Sequence, residues 1–347
     1  MKIVVVTWAY NAEKTIERAI NSILEQTYTN FIYYVIDNGS QDRTGELIKN
    51  FSQQDNRIRY LRQETNNPAV APEILLQIAA KYSNEDFYCN LDADDEYLPN
   101  FLSEMIDFIQ ENNLDSATCG TDWIDAESGN IMKHKVIEKN TILVGKDFAD
   151  LFPYYRNFTT TVWGGLFSMK VLKKSKWTWP TTLAYGSDSA TCMEMFSNST
   201  RAGILAKSLH KYYIFPNSIS GRYEPKGFSC CKRLYQAGKE YLEHYGPISE
   251  QNANYLYVIF FITLLNTVNN VKKAAIPPEK KVDDLYKIFQ DEMTQYLLKN
   301  WNEIGVRTPK AKLLSDLQEW IFSQETTLEY AEKKTKLLEY IKAGMEI

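Results

Sequence analysis

Apolar positions recur along the first hundred residues in two alternating rhythms. Short runs rich in β-branched and aromatic residues, KIVVVT at 2–7, FIYYVID at 31–37, and the segments 58–62 and 87–91, read as strands. Between them, 12–26 carries Ile16, Ala19, Ile20, Ile23 and Leu24 at helical spacing, and 44–51 and 72–82 read as helices. This alternation predicts βαβ units, hence an α/β fold of Rossmann-like type: a mostly parallel sheet flanked by helices.

The rhythm changes further along. Residues 101–111 read as a helix, 117–123 as a strand, and IDAESGNIMKHK has the Gly-centred polar turn of a hairpin. Residues 146–225 mix short elements with aromatics, as in FTTTVWGGLF and WTWPTTLAYGSD, a texture that suits a substrate-binding half. From about 228 the spacing is helical, over 230–245, 252–271, 282–300, 310–324 and 327–343, with a break at Ala275, Pro277 and Pro278. The expected division is therefore 1–225 followed by a helical region, 226–347.

Composition narrows the class. A chain of 347 residues with 44% apolar and 24% charged residues is globular, with room for one large domain and an appendage or for two domains. A net charge of −5 without a basic block argues against nucleic acid as the main partner. The N-terminal apolar run is too short for a signal peptide, which predicts a cytoplasmic protein. YLYVIFFITLL at 255–265 falls short of the roughly 20 residues of a spanning helix. Cys89, Cys119, Cys192, Cys230 and Cys231 show no CxxC spacing and read as reduced packing residues; His134, His210 and His244 are scattered.

The chemistry collects where ligands of open α/β sheets bind, at the carboxyl ends of the strands. There stand TWAYN after the first strand, DNGS after the second and, after the fourth, FYCNLDADDEYLPNF. One Asp would suffice to cap the next helix, whereas several carboxylates this close repel unless a cation lies among them. Asp92 and Asp94 are therefore the pair to explain, and the run is a plausible cation site.

Taken in order, Tyr10-Asn11, SILEQTYTNF at 22–31, Asp37-Asn38-Gly39-Ser40 with Asp42, and Leu91 to Pro99 resemble the family 2 glycosyltransferases of GT-A fold. The resemblance covers roughly 1–225 and implies an inverting, DxD-containing enzyme. Residues 1–100 would bind the nucleotide-sugar, UDP-linked by preference, and 101–225 the acceptor. Asp92 and Asp94, with Ala93 between them, would hold Mn²⁺ or Mg²⁺ on the diphosphate, while Asp95 orients the loop, contacts the sugar or caps the next helix. Tyr10, with the backbone at Trp8 and Ala9, would carry the base, and Asp37 or Asn38 would read its edge.

Where uracil readers have a second Asp, this chain has Asn38. Asn66 and Asn67 stand without the Gly and Arg common there, and Arg62 is the substitute contact to the diphosphate. Trp163 would face a sugar ring, with Gly164 and Gly165 allowing close approach; Trp177, Trp179 and Tyr185 are further acceptor-side candidates. Asp188, in AYGSD before SATCMEMF, matches the family's acidic base with Ser187 in place of Glu.

The implied acceptor is a glycan, a lipid-linked glycan or a protein Ser/Thr hydroxyl. The C-terminal helices are candidates for packing on the catalytic part, dimerisation, or peripheral contact with a membrane. Two enzyme alternatives fail on placement: a phosphatase of haloacid dehalogenase type has its Asp after the first strand, and a nucleotidyltransferase needs a Gly-rich N-terminal phosphate loop. A non-catalytic nucleotide-sugar-binding or scaffold protein would show a degenerate DxD or lack a base, and both motifs are present.

Overall fold

Four parallel strands carry the N-terminal half in the order β3-β2-β1-β4: β1 (Ile3–Ala9), β2 (Phe31–Asn38), β3 (Ile58–Gln63) and β4 (Phe87–Asn90). The structure is a computed structural model that describes residues 1–176, 186–215, 222–306, 308–322, 335, 337 and 339. Ile3 to Val6 are buried on both faces, as a central parallel strand covered by helices requires. Helix α1 (Ile16–Leu24) buries Ile16, Ala19, Ile20 and Ile23, the spacing read from the sequence. Helices α2 (Thr44–Gln54), α3 (Ala71–Ala79) and α4 (Phe101–Asn112) each bury one apolar face.

Beyond these strands the sheet becomes mixed. It adds β5 (Glu96–Tyr97), β6 (Ser116–Asp125), β7 (Ile131–Lys135), β8 (Thr141–Val144), β9 (Gly165–Ser168) and β10 (Arg201–Ile214). β9 runs antiparallel between β4 and β6, and β10 is parallel to β6 and antiparallel to β5 and β8. The parallel order expected for the sheet thus holds across its first four strands and returns between β6 and β10. β10 carries little period-2 signal, because register shifts between Leu205, Ser208 and His210 reset which face each side chain takes.

The chain forms two compact units, Met1–Pro216 and Asn217–Ile347. The second is helical: Gly227–Glu243, Glu250–Lys273, Pro278–Gln290, Glu292–Lys299 and Pro309–Phe322. The single helix expected over 282–300 is two, because Asp291 accepts hydrogen bonds from Met293 N and Thr294 N (3.1 and 3.3 Å) and caps a new start. The helix expected over 327–343 lies outside the described residues apart from 335, 337 and 339. Among the described residues no helix is long and apolar enough to cross a membrane. All five cysteines are buried thiols.

Candidate active site

The ends of β1 and β2 are tied together by short polar links. Tyr10 is 46% exposed, beside buried Ala9 and half-buried Trp8. Asn11 takes a left-handed φ of 51°, donates its N–H to Ser40 Oγ (3.0 Å) and accepts at Oδ1 from Gln41 N (2.8 Å). Asp37 is fully buried: Oδ1 accepts from Ser40 N (2.8 Å), and Oδ2 pairs with Arg62, its register partner on β3. Arg62 also donates to Ser40 O (3.2 Å).

Asn38 donates to Asn66 Oδ1 (2.9 Å) and accepts from Asn67 N (3.2 Å), drawing the 64–67 loop over the turn. Gly39 makes this approach feasible, because at φ 78° a Cβ would lie 2.6 Å from the Thr65 carbonyl carbon. Asp37 is thus engaged inside the rim, and the two bonds of Asn38 use one of its amide hydrogens and one Oδ1 lone pair.

In the acidic loop, Asp92, Asp94 and Asp95 each bring a carboxylate oxygen within 4.8 Å of the others. Burial, then the fields of Asp95, Asp188 and Asp94, hold the Asp92 carboxyl well above the usual carboxylate range; burial and Asp94 do the same to Asp95. Asp94 is raised chiefly by burial, against the pull of Arg18. Asp95 Oδ1 accepts from Tyr213 N (2.9 Å), but its buried Oδ2 has no hydrogen-bond partner and lies 3.4 Å from His210 Nε2. Clustered carboxylates with raised pKa values and an orphaned buried oxygen fit a hard cation, for which oxygen ligands are the preferred donors. Asp95 therefore belongs to the cluster, and the N-cap position of α4 is Asn100.

The loop is held by residues from inside its motif and from outside it. Arg18, on α1, donates to the Asp94 carbonyl oxygen, lies 3.7 Å over the Tyr213 ring and pairs with Glu96 at 3.9 Å. Asn90 donates to Asp92 Oδ1 (3.0 Å). Tyr97 donates to Asn90 O (2.5 Å) and accepts from Gly164 N (2.9 Å), linking the acidic loop to the Trp163 segment. Tyr97→Phe leaves a buried N–H unpaired; an expected loss of about 1–3 kcal/mol can be measured by urea unfolding.

Trp163 is only 8% exposed and stacks on His210 and Tyr212, with ring centroids at 4.5 and 5.2 Å. It is a packed ring, because β10 supplies two rings for it to lie against. Gly164 has φ 74°, and a Cβ on Gly165 would lie 2.6 Å from the Phe167 ring. Burial, then the fields of Asp95, Asp94, Asp92 and Asp188, push the Tyr212 hydroxyl up to about 12. His210 is completely buried, and desolvation lowers it to about 3, so it is neutral at physiological pH.

Asp188 stands in the first turn of the helix Ser187–Ser197, after Gly186 at φ 78°. The residue as a whole is exposed, but its carboxyl group sits where desolvation raises it above the ordinary range. Its field reaches Asp92, Tyr88 and Tyr212, so the fold brings it to the acidic loop from almost a hundred residues away. Trp177, Trp179 and Tyr185 lie outside the described residues.

Residues 4–175 match the sequence profile of "Glycosyl transferase family 2", a span that includes the DNGS turn, the acidic loop and the Trp163 segment. The chain belongs to this family. This family 2 glycosyltransferase is 26% identical over 264 residues to "Uncharacterized glycosyltransferase YibD" of Escherichia coli K12, covering 73% of this chain and 72% of the relative. It is 37% identical over 106 residues to the E. coli "UDP-Glc:alpha-D-GlcNAc-diphosphoundecaprenol beta-1,3-glucosyltransferase WfgD", covering 30% and 40% of the two chains. Its structure resembles that of S. aureus TarS 1-349 in complex with UDP-GlcNAc, with a TM-score of 0.65 at 17% identity over 92% of this chain and 91% of the other. That likeness identifies the fold as GT-A.

Proposed function

We propose that the chain is a metal-dependent inverting transferase of a hexosyl or N-acetylhexosaminyl group. The donor is a nucleotide-sugar, UDP-linked by preference, and the acceptor a hydroxyl of a glycan or lipid-linked glycan destined for the cell surface. The carrying observation is the Asp92, Asp94 and Asp95 cluster at the carboxyl end of β4, with Asp188 acting on it electrostatically. The UDP in the TarS complex and in the name of WfgD supports the base, and the acceptor in that name supports a lipid-linked glycan. The catalytic part is 1–225, with 226–347 a helical appendage, and buried thiols suit work in the reducing cytoplasm, at the inner membrane face when the acceptor is a lipid.

In this reading exposed Tyr10 stacks on the base beside Trp8 and Ala9, and Asn38 reads its edge. Asp37 keeps Arg62 and the turn in place, and Asn67 and Arg62 border the donor. Asp92 and Asp94, with Asp95 behind them, would hold Mn²⁺ or Mg²⁺, which when bound would supply Lewis acidity toward charge on the leaving diphosphate. Asp188 takes the proton of the acceptor hydroxyl as that oxygen bonds to the anomeric carbon. The anomeric C–O bond breaks on the opposite side, and its electron pair leaves with the nucleoside diphosphate.

Thermal denaturation with UDP-GlcNAc, UDP-glucose, GDP-mannose, ATP and phosphate, each with and without Mn²⁺, tests the donor class. A UDP-sugar with Mn²⁺ is expected to stabilise most, by about 2.7 kcal/mol at a hundred times its Kd. Equal stabilisation by ATP or phosphate, or indifference to Mn²⁺, contradicts the reading.

A further inference from the structure

β10 carries one more side chain toward the acidic site. Tyr212 stands two residues beyond His210 on the strand, so the two rings share a face, and both stack on Trp163. Tyr213 between Tyr212 and Ile214 turns the other way, with its N–H on Asp95 Oδ1 and its ring under Arg18. Trp163 fixes what the shared face looks onto. It forms a β-bridge with Asn90, the last residue of β4, whose side chain donates to Asp92 Oδ1 (3.0 Å). A ring stacked on Trp163 is thereby set beside the acidic loop, and Trp123 packs edge-on against Tyr212 at 5.4 Å.

The Tyr212 ring is half-buried and held from two sides, yet its hydroxyl is unused. Among the described residues it makes no hydrogen bond. Burial and the surrounding carboxylates keep it protonated at physiological pH, which leaves it one hydrogen to donate. The cations nearest the loop are committed elsewhere: Arg18 serves the Asp94 carbonyl oxygen and Glu96, and Lys211 pairs with Glu96 at 3.1 Å. A diphosphate brought to this carboxylate-rich loop needs hydrogen-bond donors, and Tyr212 has one to give.

We propose that the Tyr212 hydroxyl is a catalytic residue that hydrogen-bonds an oxygen of the sugar-bearing phosphate of the nucleotide-sugar and so stabilises the leaving diphosphate. The contact rests on the transferase reading above and deepens it by naming a residue for the leaving group. No proton changes hands. The O–H bond of Tyr212 stays intact while the electron pair of the anomeric C–O bond moves onto that phosphate, and the hydrogen bond strengthens as the charge grows.

Calorimetric titration of UDP, UMP and UDP-GlcNAc, each with Mn²⁺, into the full chain and its Tyr212→Phe variant tests the contact. The variant keeps both stacking contacts, so its melting temperature without ligand should match that of the wild type. UDP, which bears the full charge of the departed group, is expected to bind the variant about tenfold to a hundredfold more weakly. UMP lacks the second phosphate and should bind both proteins equally. UDP-GlcNAc, whose second phosphate carries less charge, should lose less than UDP.

Unchanged UDP affinity in Tyr212→Phe overturns the proposal. Equal weakening of UMP and UDP also overturns it, as a general disturbance of the nucleotide site, and weakening of UDP-GlcNAc alone does so by placing the hydroxyl on the sugar. GDP and GMP form a second pair: should the wild type prefer them, the UDP preference fails while the same contrast of diphosphate with monophosphate still judges Tyr212. Wild-type protein that binds no nucleoside diphosphate overturns the donor reading and this contact together. Wild-type binding to which the variant is indifferent overturns this contact alone.

Discussion

Asp94→Asn is expected to lower sugar transfer by about 10²- to 10³-fold, because it removes one carboxylate of the cluster that is to hold the metal on the leaving group. The fold should survive. Asp94 stands among like charges, with its carboxyl raised by burial, so losing its charge relieves repulsion on Asp95 and leaves the melting temperature of the metal-free protein unchanged or higher. Steady-state transfer assays over a Mn²⁺ series, beside thermal unfolding without metal, check both halves. Transfer within a factor of a few of wild type at low Mn²⁺ would remove Asp94 from the metal site.

Asp188→Asn should behave differently. Donor binding, read by calorimetry with the UDP-sugar and Mn²⁺, is expected to stay near wild type, while transfer falls by about 10²- to 10⁴-fold for want of a general base. The pH profile provides a second readout. A base must be deprotonated to act, and burial raises the Asp188 carboxyl, so wild-type kcat/KM should fall as pH drops through that raised value. The limb should vanish in the Asn variant. Persistence of the same limb there, or full transfer, would assign proton removal to another group.

How much of this was legible beforehand depended on how local each feature is. β1, β2 and β4 announce themselves as short continuous apolar runs, α1 by its helical spacing, and DADD is a contiguous run. The frame of the acidic loop was not legible. Arg18 reaches Asp94 across 76 positions and Tyr213 reaches Asp95 across 118, so neither contact leaves a pattern in the chain. β10 hid for a related reason, since its register shifts break the alternation that marks a strand.

The same limit explains two contacts that local sequence does not show. Asp37 reads, with Asn38, as an edge reader of the base from its DNGS turn, and the register of β3 also delivers Arg62 to its Oδ2. Trp163 reads as a sugar platform, yet β10 brings His210 and Tyr212 against it. In both cases the residue lies in the expected region, and its partner comes from a strand that local sequence does not link to it.

The central claim is that a divalent metal bound by the acidic loop meets a nucleotide-sugar there. Crystals grown with UDP-GlcNAc and Mn²⁺, measured at the manganese absorption edge, test it directly. An anomalous peak bounded by the carboxylates of Asp92 and Asp94, with the diphosphate against it and the uracil at Tyr10, is the predicted result. A bound nucleotide with no manganese at those carboxylates, or manganese bound elsewhere, would contradict the account.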